Sequence, residues 1–333
     1  MARDREALYG AVSDATGLLI LTHNDPDPDA IASAVALQWL LEEKLHLESR
    51  IAYRGIVGRA ENKALVRQLG YPLRLLTERE VPNTLPIALV DTQPGAGNNA
   101  LRNSANVVIV FDHHPMREET SRVPFADVRP DVGATSTILT ETCQAAEVEL
   151  PPLIATALFY GVKTDTMGLG RGASPSDVAA YLYLQSRVDV HALVEIERAQ
   201  VPPEYFRGLV AGLQAARVYR DVLITSIGPM QRPDLPAEMA DLLLRLRGVG
   251  WVMCMGIYDD TLMISLRTNS RRGAGEAIRA IVGDLGSSGG HGSMSAGQIP
   301  LDGQNPDILA HRLEERALKQ FGLAPDVSGE KLV

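Results

Sequence analysis

Two acidic segments stand at the ends of apolar runs. His23-Asn24-Asp25-Pro26-Asp27-Pro28-Asp29 follows Gly17-Leu18-Leu19-Ile20-Leu21, and Asp112-His113-His114 follows Val107-Val108-Ile109-Val110-Phe111. Carboxylates and imidazoles at this density offer anionic oxygens and ring nitrogens to one cation, so their chemistry is that of a metal site. Short aliphatic runs bounded by turn residues read as buried strands, and open parallel sheets bind ligands beyond the carboxyl ends of their strands. The acids and imidazoles are therefore expected to converge at one sheet edge.

The residue types narrow the cation. Asp25, Asp27 and Asp29 imitate the start of a calcium-binding loop, but such a loop needs Gly at position 30 and Glu at position 36, where Ala30 and Ala36 stand. His23 is also a poor ligand for a hard calcium ion, whereas Mn²⁺ accepts imidazole together with carboxylate. A purely structural reading makes the segment a polar turn in which Asp29 caps the helix that follows; capping and ligation are compatible roles.

Positioning these residues requires alternating strands and helices. Residues 18–22 read as a strand and 29–45 as a helix, with Ile31, Val35, Leu37, Leu40 and Leu41 at near-helical spacing. The alternation continues through 50–53, 62–69 and 73–76 to strands at 86–90 and 106–111. It implies an α/β fold with a mostly parallel sheet flanked by helices. Further helices are expected at 136–146, 152–160, 175–186 and 193–200. Pro202-Pro203 interrupts the pattern, which places a boundary there: a metal-binding domain over 1–200, a connecting helix or linker over 201–221, and a smaller α/β domain over 222–333. Within the last, we expect a strand at 222–227, a helix at 237–246, a hairpin of 251–258 with 261–267, and a helix at 276–282. A Gly/Ser-rich loop at 286–297, a helix at 306–321 and a loose tail at 326–333 complete it.

Composition sets outer limits. At 333 residues and 45% hydrophobic content the chain can bury a sizeable core, and no apolar stretch approaches the roughly 18–20 residues that span a bilayer. The first residues, Met1-Ala2-Arg3-Asp4-Arg5-Glu6, lack the apolar core of a signal peptide. Cys143 and Cys254 lie in apolar contexts and fit reduced thiols, with a disulfide between them left open. These features lead us to expect a cytoplasmic protein. A net charge of −9 argues against a surface that coats nucleic acid, yet permits a small anionic substrate held through metals.

The motifs resemble those of the DHH phosphoesterases. His23-x-x-Pro26-Asp27-x-Asp29-Ala30 looks like the first motif, Asp91 after residues 87–90 matches the second, and Asp112-His113-His114 is the signature. Gly161-Val162-Lys163-Thr164-Asp165-Thr166 resembles the fourth. The resemblance implies a catalytic metal site with two divalent ions, usually Mn²⁺ with Mg²⁺ or Co²⁺ as substitutes, that generates a hydroxide for attack on phosphorus. His23 and Asp27 would hold one ion, Asp29 and His113 the other, with Asp91 bridging and Asp165 completing the set. His114 would contact a phosphate oxygen or move a proton, and Asp112 would orient a histidine through its other ring nitrogen. His46, His191 and His311 are read as ordinary core or surface histidines.

The second half carries its own resemblance, to the DHH-associated substrate-binding domain. Gly289-Gly290-His291, with Ala296-Gly297 nearby and Ser265-Leu266-Arg267 before it, would let backbone approach a phosphate while Arg267 and His291 donate to it. Arg271 and Arg272 are further candidates, with a solvated basic turn as the alternative. The motif departs from the usual pattern by Ser287-Ser288 in place of a longer glycine run, and by one extra residue between His291 and the final glycine. The implied activity is hydrolysis of short RNA or DNA oligonucleotides or small nucleotides, as in nano-oligoribonucleases and adenosine 3′,5′-bisphosphate phosphatases, with the two domains facing each other across a cleft. Alternatives are a RecJ-type exonuclease, a cyclic-dinucleotide phosphodiesterase, a pyrophosphatase or exopolyphosphatase, and a non-catalytic nucleotide sensor. Apolar segments between the domains are compatible with a homodimer.

Overall fold

The computed structural model describes residues 2–70, 73–76, 85–101, 106–270, 272–324 and 327–333, with the side chains of residues 2–4 and 291 outside that description. The chain divides into two compact units, Met1–Gln200 and Val201–Val333.

In the first unit, α1 (Ala2–Gly10) precedes β1 (Leu18–Thr22), α2 (Pro28–Leu45), β2 (Ser49–Tyr53), α3 (Ala60–Leu69) and β3 (Arg74–Leu75). Then come β4 (Ile87–Val90), β5 (Val107–Asp112), β6 (Phe125–Val128), α4 (Thr135–Ala145), α5 (Pro152–Asp165), α6 (Pro175–Gln185) and α7 (Val190–Glu197). The six strands pair in the order β3-β2-β1-β4-β5-β6, every pair parallel. Thr22 lies opposite Val90, Val90 opposite Phe111, and Asp112 opposite Val128, so the strands end together. Strand order reverses between β1 and β4, the place where parallel sheets bind ligands.

Helix α2 explains how a carboxylate can be buried beside that edge. It starts because Asp27 accepts from the Ala30 N–H (3.1 Å) and Pro28 takes the first turn, where its missing N–H costs nothing; it stops at His46 in left-handed backbone (φ 50°). Ile31, Val35, Leu37, Leu40 and Leu41 are fully or almost fully buried, with α4 and α5 packed against the helix. Each buried leucine contributes roughly 1.5–3 kcal/mol. That sum is large enough to hold the helix in place with Asp29 buried on it.

The second unit has α8 (Pro203–Ala215), β7 (Arg217–Tyr219), β8 (Val222–Pro229), α9 (Leu235–Leu243), β9 (Trp251–Tyr258), β10 (Thr261–Thr268) and α10 (Ala274–Val282). It ends with β11 (Ser287–His291), β12 (Met294–Pro300), α11 (Pro306–Gln320) and β13 (Glu330–Lys331). Its sheet runs β11-β12-β10-β9-β8-β7-β13, with β8 and β9 parallel and the other pairs antiparallel. Leu223, Val252 and Cys254 share a core with Met239 of α9 on one face. Ile224, Met253 and Leu266 share a core with Ile278 of α10 and Leu313 of α11 on the other. Cys143 and Cys254 are separate buried thiols.

Several sequence expectations are corrected. Residues 201–221 form α8 and β7 of the second unit: Gly212 of α8 packs against Met239 and Ile227. The expected loop at 286–297 is the hairpin β11–β12. Its alternation of exposed Met294, Ala296 and Gln298 with buried Ser295, Gly297 and Ile299 is invisible to a hydrophobicity pattern, because Ser, Ala and Gly carry little signal. The expected tail contributes β13, which pairs Glu330 with Val218, and Leu332 N–H donates to Ala216 O. Strand β6 and helix α1 were not anticipated, and α5 runs past Tyr160 to Asp165.

These packing relations predict that residues 201–333 expressed alone unfold cooperatively on heating. Residues 222–333, stripped of α8 and β7, should give no cooperative transition. Equal cooperativity in calorimetry of both pieces would contradict the assignment of α8 to the second unit.

Candidate metal centre

The edge where β1, β4 and β5 end gathers the predicted ligands. Asp91 follows β4 in left-handed backbone (φ 59°), a conformation that aspartate tolerates better than most side chains, and its carboxylate is almost fully buried. Its two oxygens face two histidines: Oδ2 is 3.3 Å from His23 Nε2 and Oδ1 is 3.5 Å from His113 Nε2. His23 Nε2 is also 3.7 Å from Asp27 Oδ1, and His113 Nε2 is 3.5 Å from Asp165 Oδ2 at the end of α5. Side-chain atoms of His23, Asp27 and Asp91 thus form one cluster, and those of Asp29, His113 and Asp165 a second.

These separations fit cations. They exceed the roughly 2.7–3.2 Å of a hydrogen bond, whereas two ligand atoms about 2.1 Å from one metal at an angle of about 100–110° lie roughly 3.2–3.4 Å apart. The ring nitrogens agree. His23 Nδ1 meets Asn24 O at 2.7 Å, and His113 Nδ1 lies 3.4 Å from Val132 O, which turns each Nε2 toward the carboxylates. A third grouping, Asp91 with His113 and His114, fits less well because His114 Nδ1 is bonded to Asp112 Oδ1 at 2.8 Å.

Asp29 does not cap α2, as the sequence suggested; Asp27 does. Asp29 instead receives the Thr135 and Ser136 N–H groups of α4, each at 2.7 Å. Ala134, the residue that opens α4, has no side-chain oxygen, so the carboxylate from α2 satisfies the bare helix N-terminus and gains the helix dipole. Thr135 Oγ1 donates to Asp91 Oδ1 at 2.9 Å. One turn of α4 therefore fixes a carboxylate of each cluster.

Asp112 is buried and orients His114 rather than His113. Its Oδ2 accepts from Gln93 Nε2 (2.7 Å), and Gln93 Oε1 accepts from Arg117 N–H and Thr120 Oγ1, both at 2.9 Å. Gln93, Thr135 and Ser136 were missed at the sequence level. The hydroxyl run Thr135-Ser136-Thr137 at the start of a helix was the available signal; Gln93 offered none beyond its nearness to Asp91.

Without metal, the site is electrostatically frustrated. Burial, then Asp91, raises the Asp29 carboxyl to about 7, and burial with Asp27, Asp29 and Asp91 holds Asp165 well above the carboxylate range. Burial raises Asp91 less than His23 and His113 lower it, so it stays below the ordinary value. Burial opposes the charged forms of His23 and His114. Asp27 and Asp91 nevertheless hold His23 well above its usual value, and Asp112 lifts His114 to about 9.

In the second unit, cross-strand register puts Arg267, Met294 and His291 in one row, Leu266, Ser295 and Gly290 in the next, and Ser265, Ala296 and Gly289 in the third. Arg267 is buried: Nε donates to Asp241 Oδ1 (2.7 Å), and Nη1 donates to Leu266 O and Ser295 O. A Cβ on Gly289 would meet open space, whereas Gly290 (φ 141°) lies against Ser295, where a Cβ would come within 2.4 Å of Cα. Arg271 and the His291 side chain lie outside the described residues, and Arg272 is exposed.

Two outcomes follow. Gly161 of α5 lies against α4 and α2, and a Cβ there would sit 2.3 Å from Ser136 Oγ and 3.2 Å from Asp29 Oδ1. Gly161→Ala should therefore cost about 1–3 kcal/mol by urea unfolding and weaken Mn²⁺ binding; unchanged values for both would contradict this packing. The second concerns pH. Stability from the raised Asp29 carboxyl is full below about 4 and lost as pH climbs through about 7, and the contributions of Asp165 and His23 fade in the same direction. Cations displace those protons, so the rise in Tm on adding Mn²⁺ should be larger at pH 8 than at pH 6. An equal rise at both would count against the acidic cluster as the binding site.

The chain is similar to several known proteins. An uncharacterized protein of Methanocaldococcus jannaschii is 37% identical over 286 residues, 85% of this chain and 58% of the relative. The cyclic-di-AMP phosphodiesterase GdpP of Geobacillus thermodenitrificans is 27% identical over 316 residues, 88% of this chain and 46% of that one. A probable manganese-dependent inorganic pyrophosphatase of Archaeoglobus fulgidus is 27% identical over 160 residues, 44% of this chain and 48% of that one. The chain spans about half the length of these curated relatives. In fold, it superposes on an exopolyphosphatase-related protein from Bacteroides fragilis with a TM-score of 0.78 at 16% identity, covering 96% of this chain and 97% of that one. Residues 18–162 match the DHH family, N-terminal domain, so this part of the chain, with the parallel sheet and acidic edge described above, is a DHH-family N-terminal domain.

Proposed function

We propose that this chain is a divalent-metal-dependent phosphoesterase that hydrolyses short oligonucleotides or small nucleotides. The observation that carries the reading is Asp91, whose two oxygens face His23 and His113 and so join the two ligand clusters. When bound, two divalent cations supply the Lewis acidity that draws in a phosphoryl group and activates water. His23, Asp27 and Asp91 would hold one cation, and Asp29, His113, Asp165 and Asp91 the other. The mixed imidazole and carboxylate set suits Mn²⁺, with Mg²⁺ or Co²⁺ as substitutes.

The other residues act around that pair. Asp112, itself anchored by Gln93, keeps the His114 imidazole oriented and protonated, so His114 donates to a phosphoryl oxygen or to the departing oxygen. On the second unit, we assign phosphate or nucleotide contacts to Arg267, Gly289, Gly290 and His291, which the register places in adjacent rows of three strands.

Dinucleotides, cyclic or linear, form the second reading. The similarity to a cyclic-di-AMP phosphodiesterase runs over 88% of this chain and so takes in both units, while the pyrophosphatase similarity stops at 44%. A RecJ-type exonuclease and a pyrophosphatase or exopolyphosphatase draw equal support from the first unit's geometry, so substrate turnover decides.

The test is a panel with Mn²⁺: dinucleotide RNA, longer RNA and DNA, adenosine 3′,5′-bisphosphate, cyclic di-AMP and pyrophosphate. Short nucleotides should be turned over fastest, and preference for pyrophosphate over every nucleotide would overturn the substrate class. Asp91→Ala and His113→Ala should each lose about a hundredfold or more in kcat; retained activity in both would sink the two-metal reading. His114→Ala should cut kcat by about 10²–10⁴ while leaving Mn²⁺ binding intact.

A further inference from the structure

Asp177 lies on α6, outside the motifs that carry the metal ligands, and is completely buried. Its Oδ2 accepts from Gly133 N–H (2.8 Å), Ser174 N–H (2.7 Å) and Ser174 Oγ (2.7 Å), and its Oδ1 accepts from Thr137 Oγ1 (2.6 Å). The bonds to Ser174 close the capping box of α6 and are local. Those to Gly133 and Thr137 span 44 and 40 residues and clamp the two sides of the turn that leads into α4.

That turn also holds residues of the candidate metal centre. Val132 O faces His113 Nδ1, the Thr135 and Ser136 N–H groups hold Asp29, and Thr135 Oγ1 holds Asp91. Gly133 also abuts Thr166, the residue after Asp165: a Cβ on Gly133 would sit 2.7 Å from Thr166 Cγ2 and 3.1 Å from Asp177 Oδ2. Three candidate ligands, His113, Asp29 and Asp91, thus depend on one short segment, and Asp177 bonds that segment at residues 133 and 137.

We infer that Asp177 is a positioning residue for the metal centre, setting the segment 132–137 that orients His113, Asp29 and Asp91. The inference rests on the reading that this acidic cluster binds divalent cations. Groups that orient metal ligands from behind typically change affinity by about 10–100-fold when removed. An Asn side chain can keep these bonds, its oxygen accepting from Gly133 and Ser174 and its amide donating to Thr137 Oγ1.

The experiment titrates MnCl₂ into the metal-free full chain by calorimetry, with thermal unfolding measured alongside. Asp177→Ala should bind Mn²⁺ about 10–100-fold more weakly, and Asp177→Asn should recover most of that loss. Ser174→Ala, which breaks only the local cap, should lower Tm and leave Mn²⁺ affinity near the parent's. Thr137→Val, which severs only the bond to α4, should weaken Mn²⁺ binding while preserving the fold. Parental affinity in Thr137→Val overturns the inference whatever becomes of Asp177→Ala, as does equal weakening by Ser174→Ala and Asp177→Ala. Absence of Mn²⁺ binding by the parent chain would instead overturn the metal-site reading itself.

Discussion

The mutual repulsion of Asp27, Asp29, Asp91 and Asp165 is the constraint around which the first unit is built. Two unit charges about 4 Å apart at an effective dielectric near 20 repel by roughly 4 kcal/mol, several times the net value of about 1 kcal/mol for a single hydrogen bond. Burial first, and then the neighbouring carboxylates, push Asp29 and Asp165 toward their protonated forms. The fold answers in two ways. Helix α2 is buried deeply enough that Asp29 cannot retreat to solvent, and the N-terminus of α4 supplies donors that fix its direction.

From that constraint the division of labour among similar residues follows. His113 and His114 are neighbours in sequence, yet His113 turns Nε2 to Asp91 and Asp165 while His114 is tied through Nδ1 to Asp112. Asp27 and Asp29 differ just as much. The first is partly exposed and caps its own helix, and the second is wholly buried and caps another. Identical side chains two positions apart point in different directions along a helix, so one segment serves both clusters.

The sequence disclosed what local pattern encodes. Aliphatic runs ending in His23, Asp91 and Asp112 placed three strand ends correctly, because a parallel sheet buried on both faces leaves an unbroken apolar signal. Motif resemblance then singled out Asp91 and Asp165, which on their own look like ordinary turn and helix-end aspartates. What stayed hidden was long-range and polar: Thr135 and Ser136 meeting Asp29 across more than a hundred residues, Gln93 bracing Asp112, and Asp177 bracing Gly133. In the second unit, β11 and β12 were hidden for another reason. Their alternating faces are made of Ser, Gly and Ala, whose burial leaves no hydrophobic periodicity.

The central claim is that Asp91 joins two cation sites, and the spins of bound manganese report on it directly. Electron paramagnetic resonance of the full chain titrated with Mn²⁺ should show two ions per chain at saturation with a spectrum of exchange-coupled metals, and Asp91→Asn should abolish the coupling. A single ion per chain, or two with the spectra of isolated Mn²⁺, would contradict the account.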